Sequence, residues 1–381
     1  MRILFTSGGT GGHVFPIVAL ARQLKQTYTK SMLPIGPGKE TRLQMFFLGP
    51  NGFAKKPLKR EGVRIKIILA GKLRRYFSIW TIFDFLKIPI GLLQSFWYLY
   101  IWMPDVIFSK GGYGSMPVVL VGWLFRIPIL IHESDSIPGL ANRWATKFSQ
   151  RIALSFASTK EYFPLEKTAF VGNPIRSELI QICLLADEKK KEEAKSIFGL
   201  VGQKPVIFIL GGSQGARKLN EFVLQILPQL LEKYEIIHQC GAKNYQKIKK
   251  DIKQSSFPSY HFFPFLNENQ MGLVYLLSDL VISRAGAGSI FETAACAKPS
   301  ILIPIPQSSS DHQRKNAFAY AQAGATIVLE QANLTPNLFL SKINQVLDNP
   351  ELSKKMSQSA KNFYEPEAAK KIAEELIKMG R

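Results

Sequence analysis

Cysteine is scarce in this chain: Cys183, Cys240 and Cys296 are the only three in 381 residues. They lie far apart and form no C-x-x-C pair. The sequence therefore predicts reduced thiols, as in a cytoplasmic protein, and gives no sign of structural zinc. Acidic residues are also few, 28 Asp and Glu against 49 Lys and Arg, for a formal net charge of +21. So basic a surface predicts a polyanionic partner, either nucleic acid or an anionic membrane face. Nucleic acid is set aside, because stacking aromatics interleaved with base-reading side chains are missing. No repeat or low-complexity tract occurs. The N-terminal stretch MRILFTSGG reaches glycine too soon for a signal peptide and reads as a buried strand.

What is present suits two domains: the length exceeds one ordinary domain, and 46% hydrophobic residues supply two cores. Residues 2–7 predict a strand, followed by Gly8-Gly9-Thr10-Gly11-Gly12-His13 and an amphipathic helix over about 15–26. Strand, glycine loop and helix make a phosphate cradle. The dinucleotide fingerprint G-x-G-x-x-G does not fit, since it would end on His13. His13 is a candidate general base, and equally a residue that caps or packs. Strands are expected over 45–48 and 63–69, around the basic run 55–60. A second glycine loop, Gly111-Gly112-Tyr113-Gly114-Ser115, follows a strand over 104–108 and precedes a helix over 116–125. A strand over 127–131 then leads to His132-Glu133-Ser134-Asp135. These βα units predict a doubly wound parallel sheet, of α/β class.

Residues 79–103 are unusually aromatic. Ile79, Trp80, Phe83, Phe96, Trp97, Tyr100 and Trp102 stand close together, bordered by Lys72, Arg74, Arg75 and Lys87. The uncharged run, 88–103, falls short of the ~20 residues of a membrane span. The segment reads best as a surface that dips into lipid headgroups, with a plain core helix and a true span as the alternatives.

The second half opens another α/β unit after Gly172-Asn173-Pro174-Ile175-Arg176, a connector whose arginine suits an anion. A strand over 206–210 runs into a third glycine loop, Gly211 to Arg217, and one helix is expected over 218–234. Residues 283–317 predict a strand, a small-residue loop, a short helix, a strand over 300–305 and a polar loop. Free N–H groups there suit a phosphate, Glu292 suits two ribose hydroxyls, and His312 and Gln313 suit a sugar. Ser289 and Glu292 also fit an S-x-x-E capping box, in which Glu292 only closes its own helix. An amphipathic helix over 366–379 ends the chain. Three glycine loops exceed the needs of one cofactor. They suggest a group transferase that holds a donor on one sheet and an acceptor on another, across a cleft.

The segments GGTGGHVFP (8–16), KGGYGS (110–115), HES-D-SIPGLAN (132–142), GNPIR (172–176), GGSQGAR (211–217), SRAGA (283–287) and DHQRKNA (311–317) together resemble the MurG family. These are glycosyltransferases of peptidoglycan precursor synthesis. The resemblance implies a GT-B fold of two Rossmann-like domains, 1–172 for acceptor and membrane and 173–362 for UDP-GlcNAc, with a helix at 363–381 returning to the first. It implies inverting transfer of GlcNAc from UDP-GlcNAc to the 4-hydroxyl of the muramyl sugar of lipid I, giving lipid II, with neither metal nor cofactor. The related alternatives are a membrane lipid glycosyltransferase of the diacylglycerol glucosyltransferase type and a non-catalytic nucleotide-sugar-binding protein. By resemblance, the donor contacts are Thr10, Gly11, Gly12, Asp135, Arg176, Ser213, Gln214, Gly215, Met271, Ala287, Glu292, His312 and Gln313. Gly8, Gly9, Gly111, Gly112, Tyr113 and Ser115 would take the acceptor pyrophosphate, and His13 or Asp135 the hydroxyl proton. Arg74, Arg75, Ile79, Trp80, Phe83 and Trp97 would meet an anionic membrane at its cytoplasmic face. Other cell-wall enzymes are possible partners. Asp135 and His312 replace the amides common in the family at those positions.

Overall fold

The computed structural model describes residues 1–31, 43–52, 54–71, 79–185, 187–200, 202–211, 216–252, 257–306 and 311–381. The chain forms two units, Met1–Pro174 with Pro366–Arg381, and Ile175–Glu365. The sequence expectation placed these divisions after 172 and after 362.

In the first unit the order is β1 (Arg2–Thr6), α1 (Gly11–Ser31), β2 (Gln44–Gly49), α2 (Lys55–Arg60), β3 (Arg64–Ile67), α3 (Ile79–Trp102), β4 (Val106–Ser109), α4 (Met116–Leu124), β5 (Ile129–Glu133), α5 (Leu140–Ala145), β6 (Arg151–Leu154) and β7 (Thr168–Phe170). The seven strands pair in the order β3-β2-β1-β4-β5-β6-β7, each pair parallel. Central strands such as β4 are buried along their whole length, which a parallel sheet with both faces covered requires. Chain order reverses between β1 and β4, whose register sets Ile3 beside Val106 and Thr6 beside Ser109. At such a reversal the loops leaving the two strands diverge and leave room for a ligand.

Helix α3 is amphipathic in an unusual sense. It buries Gly91, Ser95 and Leu99 and turns Leu93 (71% exposed), Trp97 (61%) and Tyr100 (62%) to solvent. The small buried residues allow close approach: a Cβ on Gly91 would run into the Leu69 carbonyl oxygen. Trp123 and Leu124 at the end of α4 are also exposed, and Phe96 of α3 packs on Phe125 with ring centroids 4.9 Å apart. Among the described residues no helix is long and apolar enough to cross a membrane.

The second unit holds α6 (Ser177–Leu185), α7 (Glu188–Phe198), β8 (Val206–Leu210), α8 (Arg217–Gln225), α9 (Leu227–Lys233), β9 (Glu235–Gln239), α10 (Ala242–Asp251), β10 (Tyr260–Phe263), α11 (Glu268–Leu277), β11 (Leu280–Ser283), α12 (Ala287–Ala295), β12 (Ser300–Leu302), α13 (His312–Gln322), β13 (Thr326–Val328), α14 (Pro336–Leu347) and α15 (Pro350–Phe363). Its six parallel strands pair in the order β10-β9-β8-β11-β12-β13, again with a reversal, here between β8 and β11. The single helix expected over 218–234 is two helices, because Pro228 opens a new first turn where it has no hydrogen bond to lose. The thiols also depart from expectation: Cys183 on α6 and Cys296 at the end of α12 form a disulfide, with Cα atoms 5.6 Å apart. A separation of 113 residues hides that pairing from any reading of spacing.

The chain then returns to the first unit as α16 (Ala368–Met379). Its Ile372, Ala373, Leu376 and Ile377 join Ile3, Phe5, Val14, Ile17 and Leu24 in one buried cluster.

Candidate functional site

In the first unit three loops meet at the carboxyl ends of β1, β4 and β5. The Gly8 N–H donates to the Gly111 carbonyl at 2.8 Å. A Cβ on Gly112 would stand 3.0 Å from the Gly8 Cα, and one on Gly8 would stand 3.0 Å from His13 Nδ1. Larger residues would therefore force these turns apart, and Gly111 and Gly112 also carry positive φ, 81° and 85°. His13 lies in the first turn of α1, its Nδ1 2.8 Å from Thr10 Oγ1. The tautomer that donates Nδ1–H to Thr10 leaves the Nε2 lone pair as a proton acceptor. A Cβ on Gly12 would meet nothing within 4 Å, so the start of α1 opens onto space there.

The third loop is built on Glu133. Its Oε1 accepts the Asp135 N–H at 3.0 Å, and its Oε2 accepts the Gly139 N–H at 3.0 Å and Asn142 Nδ2 at 2.9 Å. Burial and the neighbouring Asp135 charge push the Glu133 carboxyl above its usual range. With every donor aimed at holding a turn, Glu133 is a scaffold for Asp135, which stands half-buried beside it. His132 is fully buried, its Nε2 3.1 Å from both the Gly172 carbonyl and Ser155 Oγ. Burial, with the Lys110 charge, drives its pKa well down, so it is neutral. Lys110 follows β4 directly, is 1% exposed, and faces the Glu133 and Asp135 charges.

In the second unit, Arg176 stands just before α6 and is buried. Its Nη2 meets Glu292 Oε1 at 2.8 Å, and its Nε lies 4.0 Å from Glu268 Oε1. The capping-box expectation is thereby corrected. Helix α12 begins at Ala287 after Gly286, so Ser289 is already inside it, and no side chain caps the helix. The α12 start faces open space, since a Cβ on Gly286 or on Gly288 would meet nothing within 4 Å. An uncapped helix N-terminus with room before it suits an anion. Arg284, by contrast, is structural: buried, it donates to the Ile303 carbonyl at 2.9 Å and to Gln331 Oε1 at 2.7 Å.

Matches with known proteins bear on this arrangement. Residues 3–154 match the glycosyltransferase family 28 N-terminal domain, and residues 206–376 match its C-terminal domain. A UDP-N-acetylglucosamine--N-acetylmuramyl-(pentapeptide) pyrophosphoryl-undecaprenol N-acetylglucosamine transferase of Thermodesulfovibrio yellowstonii is 36% identical over 383 residues, 98% of this chain and 97% of its own. One from Bacillus thuringiensis is 35% identical over 355 residues, 93% of each chain. The crystal structure of Acinetobacter baumannii MurG superimposes with a TM-score of 0.71 at 26% identity, covering 99% of both chains. The chain belongs to the MurG family. It is an N-acetylglucosaminyltransferase with the GT-B type of fold, two parallel-sheet α/β domains.

The MurG-like positions fall as follows. Gly8, Gly9, Thr10, Gly11, Gly12, His13, Gly111, Gly112, Tyr113, Ser115 and Asp135 all lie in the loops of the first unit just described or in the first turn of α1. Arg176, Met271, Ala287 and Glu292 lie in the second unit on α11, α12 and the lead into α6. Met271 is buried, packed into the unit. His312 opens α13 after Asp311 (φ 55°), and Gln313 Oε1 accepts the Ile305 N–H at 3.1 Å. That bond ties the Gln313 oxygen to the backbone. Ser213, Gln214, Gly215, Arg74 and Arg75 lie outside the described residues, as do the side chains of Ile79, Trp80 and Phe83. Lys110 and Asn142 stand within MurG-like segments, but neither residue type signals burial in sequence.

Proposed function

We propose that this MurG-family chain transfers GlcNAc from UDP-GlcNAc to the 4-hydroxyl of the muramyl sugar of lipid I, with the acceptor on the first unit and the donor on the second. The observation that carries this reading is the contact between the glycine loops after β1 and β4, with His13 against them. The converging backbone and the open start of α1 suit the acceptor diphosphate, and the imidazole suits the hydroxyl beside it. His13 Nε2 takes the hydroxyl proton as the oxygen attacks the anomeric carbon. The bond from that carbon to the UDP oxygen breaks in the same displacement, so the configuration inverts and UDP leaves with the electron pair. Asp135 is the second candidate for the proton. N–H groups at the start of α12 offset the charge that grows on UDP, and no metal step is needed. Glu292, held by Arg176, takes the ribose hydroxyls.

The outward aromatics of α3 and the end of α4 dock on an anionic membrane as a monotopic surface, drawn there by the net positive charge. Apolar and aromatic side chains facing water over a whole helix face fit the headgroup layer better than bulk solvent. The cytoplasmic leaflet is the expected side.

The test is transfer of labelled GlcNAc from UDP-GlcNAc to a short-chain lipid I analogue, with and without EDTA, beside His13→Ala. The expected outcome is lipid II formation that survives EDTA and falls by about 100-fold or more in the variant, the range of a lost general base. Transfer to diacylglycerol in place of lipid I, or no transfer at all, overturns the reading. Full activity in His13→Ala moves the base to Asp135.

A further inference from the structure

Two of the described lysines are buried deeply enough to have their pKa lowered to about 8, Lys110 and Lys298. Lys298 has an ordinary structural explanation. Its Nζ donates to the Ser278 carbonyl at 2.8 Å and the Leu276 carbonyl at 3.2 Å. Lys110 has none. Its Nζ is enclosed, yet makes no hydrogen bond among the described residues. Glu133, whose charge acts on it most among the carboxylates, directs its oxygens at Asp135 N–H, Gly139 N–H and Asn142 instead. An enclosed ammonium without a hydrogen bond is costly, and folds keep one where a charge is needed. Lys110 also sits at a telling place. It is the residue before Gly111 and Gly112, at the reversal of strand order, and the Glu133 and Asp135 charges both favour its charged form.

We propose that Lys110 is a positioning residue for the acceptor: its buried ammonium balances the Glu133 and Asp135 carboxylates, so that a diphosphate can settle on the Gly8–Gly12 and Gly111–Gly112 backbone beside them. This rests on the reading above that the first unit takes a lipid-linked diphosphate. It also explains how Asp135 coexists with an anionic substrate. Without a cation at the end of β4, two carboxylates and a diphosphate would crowd one loop cluster, a repulsive arrangement at any protein dielectric. Lys110 acts through that field and touches neither reacting atom.

The titratable groups that act on Lys110 are His132 and Glu133 on β5 and Asp135 in the following loop; His13, in the first turn of α1, stands against Gly8, which bonds Gly111. The end of β1 offers Thr6 and Ser7, which do not titrate. His132 is held neutral, so the protonation that changes on the alkaline side is that of Lys110 itself. The competent form is the ammonium, present below about pH 8 and lost as pH rises through that value. Acceptor kcat/KM therefore falls above about pH 8.

The experiment measures kcat and KM for a lipid I analogue from pH 6 to 10 in wild type, Lys110→Met and Lys110→Arg, with UDP binding followed in parallel. Lys110→Met is expected to raise the acceptor KM by about tenfold or more, to remove the fall near pH 8, and to leave UDP affinity unchanged. Lys110→Arg, charged throughout, is expected to recover acceptor binding and to shift the fall to higher pH. An unchanged acceptor KM in Lys110→Met, or the same fall near pH 8 in Lys110→Arg, overturns the proposal. If Lys110→Met does not fold, the Lys110→Arg profile decides alone. If wild type transfers nothing to lipid I, the parent reading fails and Lys110 is judged by inorganic pyrophosphate. Pyrophosphate binding that weakens above pH 8 in wild type and not in Lys110→Arg supports its role; indifference to pH in both overturns it.

Discussion

Gly111 shows how little latitude the first-unit site allows. Its φ of 81° lies where a Cβ is unfavourable, and that Cβ would run into the Asn142 amide. Asn142 in turn donates to Glu133 and, at 3.3 Å, to the His132 carbonyl. Gly111→Ala is expected to lose about 1–3 kcal/mol of stability from the backbone alone. Displaced Asn142 would also release Glu133, so acceptor KM should rise more than urea midpoints fall, while UDP affinity stays level. Glu292 gives the matching prediction for the second unit. Removing its charge in Glu292→Gln takes the 2.8 Å carboxylate from the buried Arg176 and leaves the Glu268 carboxylate 4.0 Å away. A loss of about 1–3 kcal/mol in unfolding free energy and weaker UDP binding by calorimetry are expected together. Retained UDP affinity with lost stability would make the ion pair purely structural.

Among elements, the strands and their glycine loops were legible because buried runs ending in glycine have one simple reading in α/β chains. Element ends were less so. Helix α1 starts at Gly11, four residues before the apolar pattern begins at Phe15, since glycines carry no side chain to reveal a helical face. The Arg176–Glu292 pair spans 116 residues, which no local motif such as a capping box can report. The enclosed Lys110 was illegible for the same reason, because a lysine reads as exposed until its neighbours are known. Helix α3 was half legible: its aromatic content showed, but not that the large residues face out while Gly91 and Ser95 face in. That orientation yields a prediction for the element. Replacing Leu93, Trp97 and Tyr100 together with Ser should cut co-sedimentation with phosphatidylglycerol vesicles by about tenfold or more, given ~1.5–3 kcal/mol per fully buried large apolar side chain. Turnover of a water-soluble acceptor should be unaffected. Undiminished vesicle binding would place the membrane contact elsewhere.

At the scale of the whole molecule, the first unit is closed by the last helix of the chain. Ile372, Leu376 and Ile377 are almost fully enclosed in its core. At ~1.5–3 kcal/mol each, their burial is comparable to the entire stability of an ordinary domain, about 5–15 kcal/mol. A chain ending at Glu365 is therefore expected to lose the cooperative unfolding of the first unit in calorimetry. The second unit, complete without α16, should keep its own transition and its UDP binding. A first unit that still unfolds cooperatively would show α16 to be an accessory.

The same return of the chain sets a schedule for the growing polypeptide. The first unit emerges first, but its cluster stays open until residues 372–377 have been made, after the whole of 175–365. At about 5–20 residues per second, those intervening residues take roughly 10–40 s. Through that interval the nascent first half presents the faces of β1 and α1 that α16 will cover. The half translated second is the first able to finish folding. A ribosome pausing within the last helix would thus leave a folded second unit tethered to an unfinished, adhesive first unit, a state with an obvious need for chaperones.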